Sequence, residues 1–184
     1  LLRAVVACGW FGIQTWIGLP RAEEAREPAF AHHGSASLPR VERPGAILTV
    51  IAGTAYGKQS PVDVFSPTLY VDAQLADGAA IEVPDEHEQR ACYVVQGRIE
   101  IDGKVYEEGQ FVVLAPAAGP VSLRALQASR VMLAGGAPLD GPRHIYWNFV
   151  SSTRERIEAA RRDWREHRFA LVPGDAERIP LPDE

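Results

Sequence analysis

The densest run of side chains able to do chemistry is Asp85-Glu86-His87-Glu88, followed at once by Arg90 and Cys92. Carboxylates and an imidazole are donor types that a divalent cation accepts, but a metal-assisted reaction needs several converging from one side. A site using Glu86 or His87 lacks such a facial set, because successive residues of an extended chain point to opposite sides. Cys92 stands two residues beyond Arg90, so on a strand both share a face. A nucleophilic thiol needs a base partner. None can be named, so Cys92 is expected to be buried and inert. His32-His33 lies in an extended stretch, where neighbours point in opposite directions. That pair reads as surface or packing residues. His144, among Ile145, Tyr146, Trp147 and Phe149, reads as a packed histidine whose ring bonds backbone.

The elements that must carry these groups are short strands. Ile81 and Val83 alternate with polar neighbours, and Ala91-Cys92-Tyr93-Val94-Val95 is a continuous apolar, β-prone run. Arg98-Ile99-Glu100-Ile101 alternates again. Asp102-Gly103 is a two-residue hairpin signal, because both turn positions want positive φ. Residues 46–52 form a buried strand by pattern, Pro67 to Leu75 alternates cleanly, and further strands end near residue 135. Eight or so strands between 46 and 135 fit a sandwich or small barrel of antiparallel strands.

The spacing from Gly78 to Gly97 resembles the first cupin motif, G-x5-H-x-H-x3-4-E-x6-G. The resemblance implies a jelly-roll barrel whose two His and one Glu hold a metal. Counted from Gly78, those ligand positions are Pro84, Glu86 and Arg90. The second motif, begun at Gly109 with one residue inserted before Pro116, puts Val121 at its His position. Only Glu86 of the four can bind a metal, so the scaffold is expected to be kept and its metal site lost. His87 is one residue off this register. A slip of one sends a strand side chain to the opposite face, so His87 reads as a loop or surface residue.

The chain has 184 residues, 46% hydrophobic, enough for one cored domain with extensions. A net charge of −5 gives no support for nucleic-acid binding. Two cysteines, Cys8 and Cys92, are too few for a disulfide framework and suit a reducing cytoplasm. No run reaches the roughly 18 apolar residues that span a bilayer. The chain opens on Leu, and it is expected to begin partway through a longer protein. Residues 13–20 read as one strand ending at Pro20, and 21–45 as a Pro-rich linker. Ser152 and Glu155 have the spacing of a capping box for a helix over about 152–166, with Ile157, Ala160 and Trp164 as its packing stripe. The Arg154, Arg161, Arg162 and Arg165 set, interleaved with Glu155, Glu158 and Asp163, reads as a solvated face.

GIQTW with GLP, PAFAHH, SPTLYVDAQL, EHEQRACYVVQG, GGAPLDGPRHIYWNFVSSTRERIEAARRDW and the ending FALVPGD to IPLP together resemble the C-terminal half of the pirin family. The resemblance implies an all-β cupin jelly-roll with an extended N-terminal segment and one C-terminal helix. Residues 1–20 would be a remnant strand of a missing N-terminal cupin, 21–45 a linker, 46–140 the C-terminal cupin, and 141–184 an extension. It implies that iron or another divalent metal sits in the missing domain, with no cofactor in this chain. It further implies a metal-dependent dioxygenase acting on flavonols in the full-length form, this chain being non-catalytic. The alternative is a regulatory module binding transcription factors or metabolic enzymes. Expected partners are therefore a flavonoid-like small molecule or a protein. A severed domain would also leave an apolar segment, so self-association through residues 10–19 is expected.

Overall fold

In the computed structural model the chain reverses where the sequence supplies residues for a left-handed turn. Asp102 and Gly103 have φ of 50° and 72°, as the hairpin signal predicts, and Tyr56 and Gly57 have φ of 54° and 70°. The structure describes residues 2–7, 10–116, 119–171, 174 and 177–182. Contacts divide the chain into two units, Glu27–Pro138 and a second made of Leu1–Arg26 with Leu139–Glu184.

The second unit opens with an antiparallel hairpin of β1 (Leu2–Ala7) and β2 (Trp10–Thr15), with Leu2 opposite Thr15. The single strand expected over 13–20 is thus displaced. It starts earlier, pairs with a strand of its own chain, and stops at Thr15 ahead of Gly18 and Pro20, the latter having no N–H to give a ladder.

Unit Glu27–Pro138 is a sandwich. Its larger sheet contains β3 (Arg40–Arg43), β4 (Ala46–Ala55), β5 (Lys58–Gln59), β6 (Thr68–Leu75), β8 (Gln89–Gln96), β11 (Phe111–Leu114) and β13 (Ser129–Gly136), in the order β11-β8-β13-β6-β4-β3 with β5 paired to β4. Its smaller sheet contains β7 (Ala80–Val83), β9 (Arg98–Ile101), β10 (Lys104–Glu107) and β12 (Val121–Ala125), in the order β10-β9-β12-β7. All pairings are antiparallel among the described residues. The core between the sheets is built from the alternate residues Leu48 and Val50, Val71 and Ala73, Cys92 and Val94, Ile99 and Ile101, and Val131 and Leu133. Each fully buried Leu or Val among them contributes about 1.5–3 kcal/mol over an exposed one.

Two strands depart from expectation. β3 lies inside the stretch expected as linker; RVER is charged and hides its strand character, yet Pro44-Gly45, with Gly45 at φ 69°, turns it into β4 as an edge hairpin. β5 is the short return limb of the Tyr56-Gly57 turn. Gly53 matters for a different reason: a Cβ there would meet Thr68 O at 1.8 Å, so only glycine lets β4 approach β6 this closely.

The second unit resumes with the hairpin β14 (His144–Tyr146) and β15 (Phe149–Ser151), then α1 (Arg154–Arg165). The cap is not Ser152. Thr153 is the N-cap, its hydroxyl accepting Arg156 N–H at 3.4 Å. Ser152 instead donates both its N–H and its hydroxyl to the Glu24 carboxylate. Of the expected stripe, Ile157 is buried and Ala160 and Trp164 are half-buried. Trp164 meets Trp147 edge to face at 5.1 Å and donates through its indole N–H to Ile179 O at 2.8 Å. Arg161 is not fully solvated as expected; its guanidinium lies 4.2 Å from the Tyr146 ring centroid.

Candidate functional site

The four cupin ligand positions gather about one end of the sandwich, at the β7–β8 loop, the start of β8 and the start of β12. Val121 pairs with Val83, and both belong to the core. Pro84 is buried and has no side-chain donor atom. Glu86 is exposed. Arg90, second in β8, lies opposite Leu114 on one side and Gly135 on the other. A Cβ at Gly135 would meet Gln89 O at 2.1 Å, so glycine is what lets β13 close on this point.

Arg90 is only 3% exposed. Its Nη1 donates to Gly119 O at 2.9 Å and to Pro84 O at 3.3 Å. The guanidinium therefore ties together the two segments that carry the other ligand positions. A divalent metal does not fit here: two positions offer no donor, and the third is itself a cation. Among the described residues, no group of three or more His, Cys, Asp or Glu stands close enough to hold a metal ion.

His87, expected in a loop or at the surface, is in the loop but buried. Its Nε2 lies 2.9 Å from Thr54 O. A carbonyl only accepts, so Nε2 carries the proton and His87 pins the loop to β4. One residue off the ligand register thus places the ring against another strand's backbone. Cys92 is fully buried, and burial pushes its thiol up to about 12, which leaves it without thiolate at neutral pH. Tyr56, whose hydroxyl donates to Glu82 O at 2.8 Å, is likewise raised by burial, with Glu86 and Glu82 adding to the rise and Arg43 opposing it. His32 is exposed and His33 and His144 are half-buried. On the larger sheet an open groove of about 790 Å³ is lined by Glu42, Ile47, Gln74, Gln96 and Arg130. There Arg130 makes a two-pronged pair with Asp72 at 2.8 and 2.9 Å.

A second polar cluster lies in the other unit. Glu24 forms an ion pair with Arg143 at 2.8 Å, both side chains buried, and accepts from Ser151 and Ser152. Burial alone would raise the Glu24 carboxyl, but the hydrogen bonds from Ser152 and Ser151 and the Arg143 charge outweigh it and hold it below the usual range. Arg143 also donates to Leu19 O at 2.7 Å and to Asp140 at 2.5 Å. No local pattern marks this cluster, since Glu24 lies 128 positions from Ser152 and Leu19 lies 124 from Arg143. The doubled serine before a helix is the one local signal, and its spacing to Glu155 is that of a cap.

The family model for the pirin C-terminal cupin domain matches residues 70–170. The chain belongs to the pirin family. A pirin-like protein of Caulobacter vibrioides is 45% identical over 174 residues, covering 94% of this chain and 60% of that protein. Rat pirin is 30% identical over 160 residues, covering 84% of this chain and 55% of its own length. A crystal structure of quercetin 2,3-dioxygenase from Acinetobacter baumannii superposes with a TM-score of 0.85 at 29% identity, over 94% of this chain and 58% of that one. This pirin-family chain thus spans somewhat over half the length of each of these three proteins. The cupin jelly-roll class holds, with the sandwich in place of a bare strand count. No helix among the described residues is long and apolar enough to cross a membrane.

Proposed function

We propose that this chain is the non-catalytic cupin half of a pirin-type protein whose full form is a metal-dependent dioxygenase acting on flavonols. The observation that carries the reading is the pairing of a C-terminal pirin cupin match with ligand positions filled by Pro84, Glu86, Arg90 and Val121. The name of the Acinetobacter structure, quercetin 2,3-dioxygenase, supports the substrate class. Iron or another divalent metal belongs to the other cupin, and the reaction is cytoplasmic. Quercetin turnover and metal content of the tag-free chain test this. The expected result is no turnover and clearly less than one metal per chain. Stoichiometric metal that disappears in a His87→Ala variant, accompanied by quercetin consumption, overturns it.

One feature favours the second reading, a module that binds a regulator or a metabolic enzyme. β11 is an edge strand of the larger sheet, and its Phe111 and Val113 are 50% and 73% exposed. An edge with open backbone groups and apolar side chains is a template for another chain. In that reading Val113→Lys abolishes capture of the partner without changing the fold.

A further inference from the structure

We infer that the Arg90 guanidinium is an anion-binding group whose ligand is a compact carboxylate of the size of formate or acetate. The inference goes beyond the proposed function, since it assigns this chain's own cupin a ligand. Arg90 as a residue is 3% exposed and its Nε is buried, and a buried charge is retained only when it is paired. The other deeply buried arginine, Arg143, has that pairing in Glu24 and Asp140. The half-exposed Arg130 has it in Asp72. Arg90 has only neutral acceptors. Both its hydrogen bonds leave from Nη1 and end on the carbonyls of Pro84 and Gly119. Its Nε is buried with no acceptor among the described residues, and no carboxylate among them forms an ion pair with it.

The unused Nε edge of a guanidinium is the side that meets a carboxylate through parallel N–H groups. The residues that follow on the same face of β8, Cys92 and Val94, are apolar and fully buried. The nearest carboxylates in sequence, Asp85, Glu86 and Glu88, are all exposed. Charge in this barrel is therefore inverted: where the cupin motif sets a metal ligand, this chain sets a cation, and the complement of a cation is an anion.

Thermal unfolding of the whole chain, titrated with sodium formate and separately with sodium acetate, tests this. Ionic strength is held constant with sodium chloride. The expected result is a saturable rise in Tm, on the order of 3–6 °C at free formate about tenfold above Kd. Arg90→Met should give a flat titration. Arg90→Lys keeps the charge without the fork and should bind formate at least about tenfold more weakly, the loss of one charge-assisted hydrogen bond. If neither variant folds, saturation-transfer NMR with formate on the native chain, competed by acetate, should still show binding. No saturable response in the native chain overturns the inference and points to an internal carboxylate as the partner. Equal affinity for chloride, or undiminished binding in Arg90→Lys, overturns it as well.

Discussion

The Glu24 carboxylate accepts the backbone N–H of Ser152 at 2.9 Å, across 128 residues of sequence. Ser152, which donates its N–H and its hydroxyl to Glu24, sits outside the helix, and Thr153 is the cap. The same carboxylate neutralises Arg143, whose remaining bonds reach Leu19 O, Asp140 and the carbonyls of Gly141 and Pro142. Residues 19–24 and 140–156 are thereby one polar assembly.

Removing the Glu24 carboxylate leaves Arg143 buried beside fewer acceptors. Glu24→Ala is expected to cost about 3–5 kcal/mol, the usual range for breaking one partner of a buried pair. Glu24→Gln should cost less, because an amide oxygen can still accept from Ser152. Urea unfolding of the three proteins checks the order; equal midpoints would mean that the cluster adds nothing to stability.

The pH dependence follows from the direction of the Glu24 shift. Its folded carboxyl titrates below the ordinary value of 4.5, so below that value the unfolded chain binds the extra proton. The stabilisation is present above 4.5 and is lost as pH falls through the lower, folded value. Asp140, lowered first by its hydrogen bond from Arg143, acts in the same direction. The Tm should fall more steeply on acidification in the native chain than in Glu24→Gln. Parallel curves would assign the acid sensitivity to other carboxyls.

Cap substitutions separate the two hydroxyls. Thr153→Ala should cost on the order of 1 kcal/mol and lower the helical circular dichroism signal, through loss of the bond from Arg156 N–H. Ser152→Ala removes only the hydroxyl bond to Glu24 and should leave that signal unchanged, since its backbone N–H stays bound. Reversed effects would restore Ser152 as the cap.

Gly53 and Gly57 share a left-handed backbone but differ in space. At Gly57, with φ 70° and nothing within 4 Å of a built Cβ, alanine meets only the backbone penalty, about 1–2 kcal/mol. At Gly53 the new methyl would also strike Thr68 O at 1.8 Å, forcing β4 and β6 apart. Gly53→Ala should abolish cooperative unfolding while Gly57→Ala preserves it. Similar melting of the two variants would contradict the close approach of these strands.

Cys92 offers a test of burial by rate. In a Cys8→Ser background, iodoacetamide should leave the native chain unmodified at neutral pH and label it fully in denaturant, because burial lifts the thiol to about 12. Rapid native labelling would show that the interior opens on the labelling timescale.

Several features were legible from the chain alone because they depend on neighbours in sequence. The alternation of apolar residues, the Asp102-Gly103 turn and the continuous run through Cys92 call for a β-sandwich wherever they occur, since period and turn chemistry are local. The cupin count, which puts Pro84 and Val121 where donors belong, is likewise a matter of spacing. Tertiary structure decided what those positions do instead. Whether the guanidinium of Arg90 reaches Gly119, whether His87 turns inward to Thr54, and whether Ser152 caps a helix or serves Glu24 all depend on groups 29, 33 and 128 residues away. Side-chain hydrogen bonds are won by whichever partner the folded backbone brings within about 3 Å, and no local pattern in the chain ranks partners at that separation.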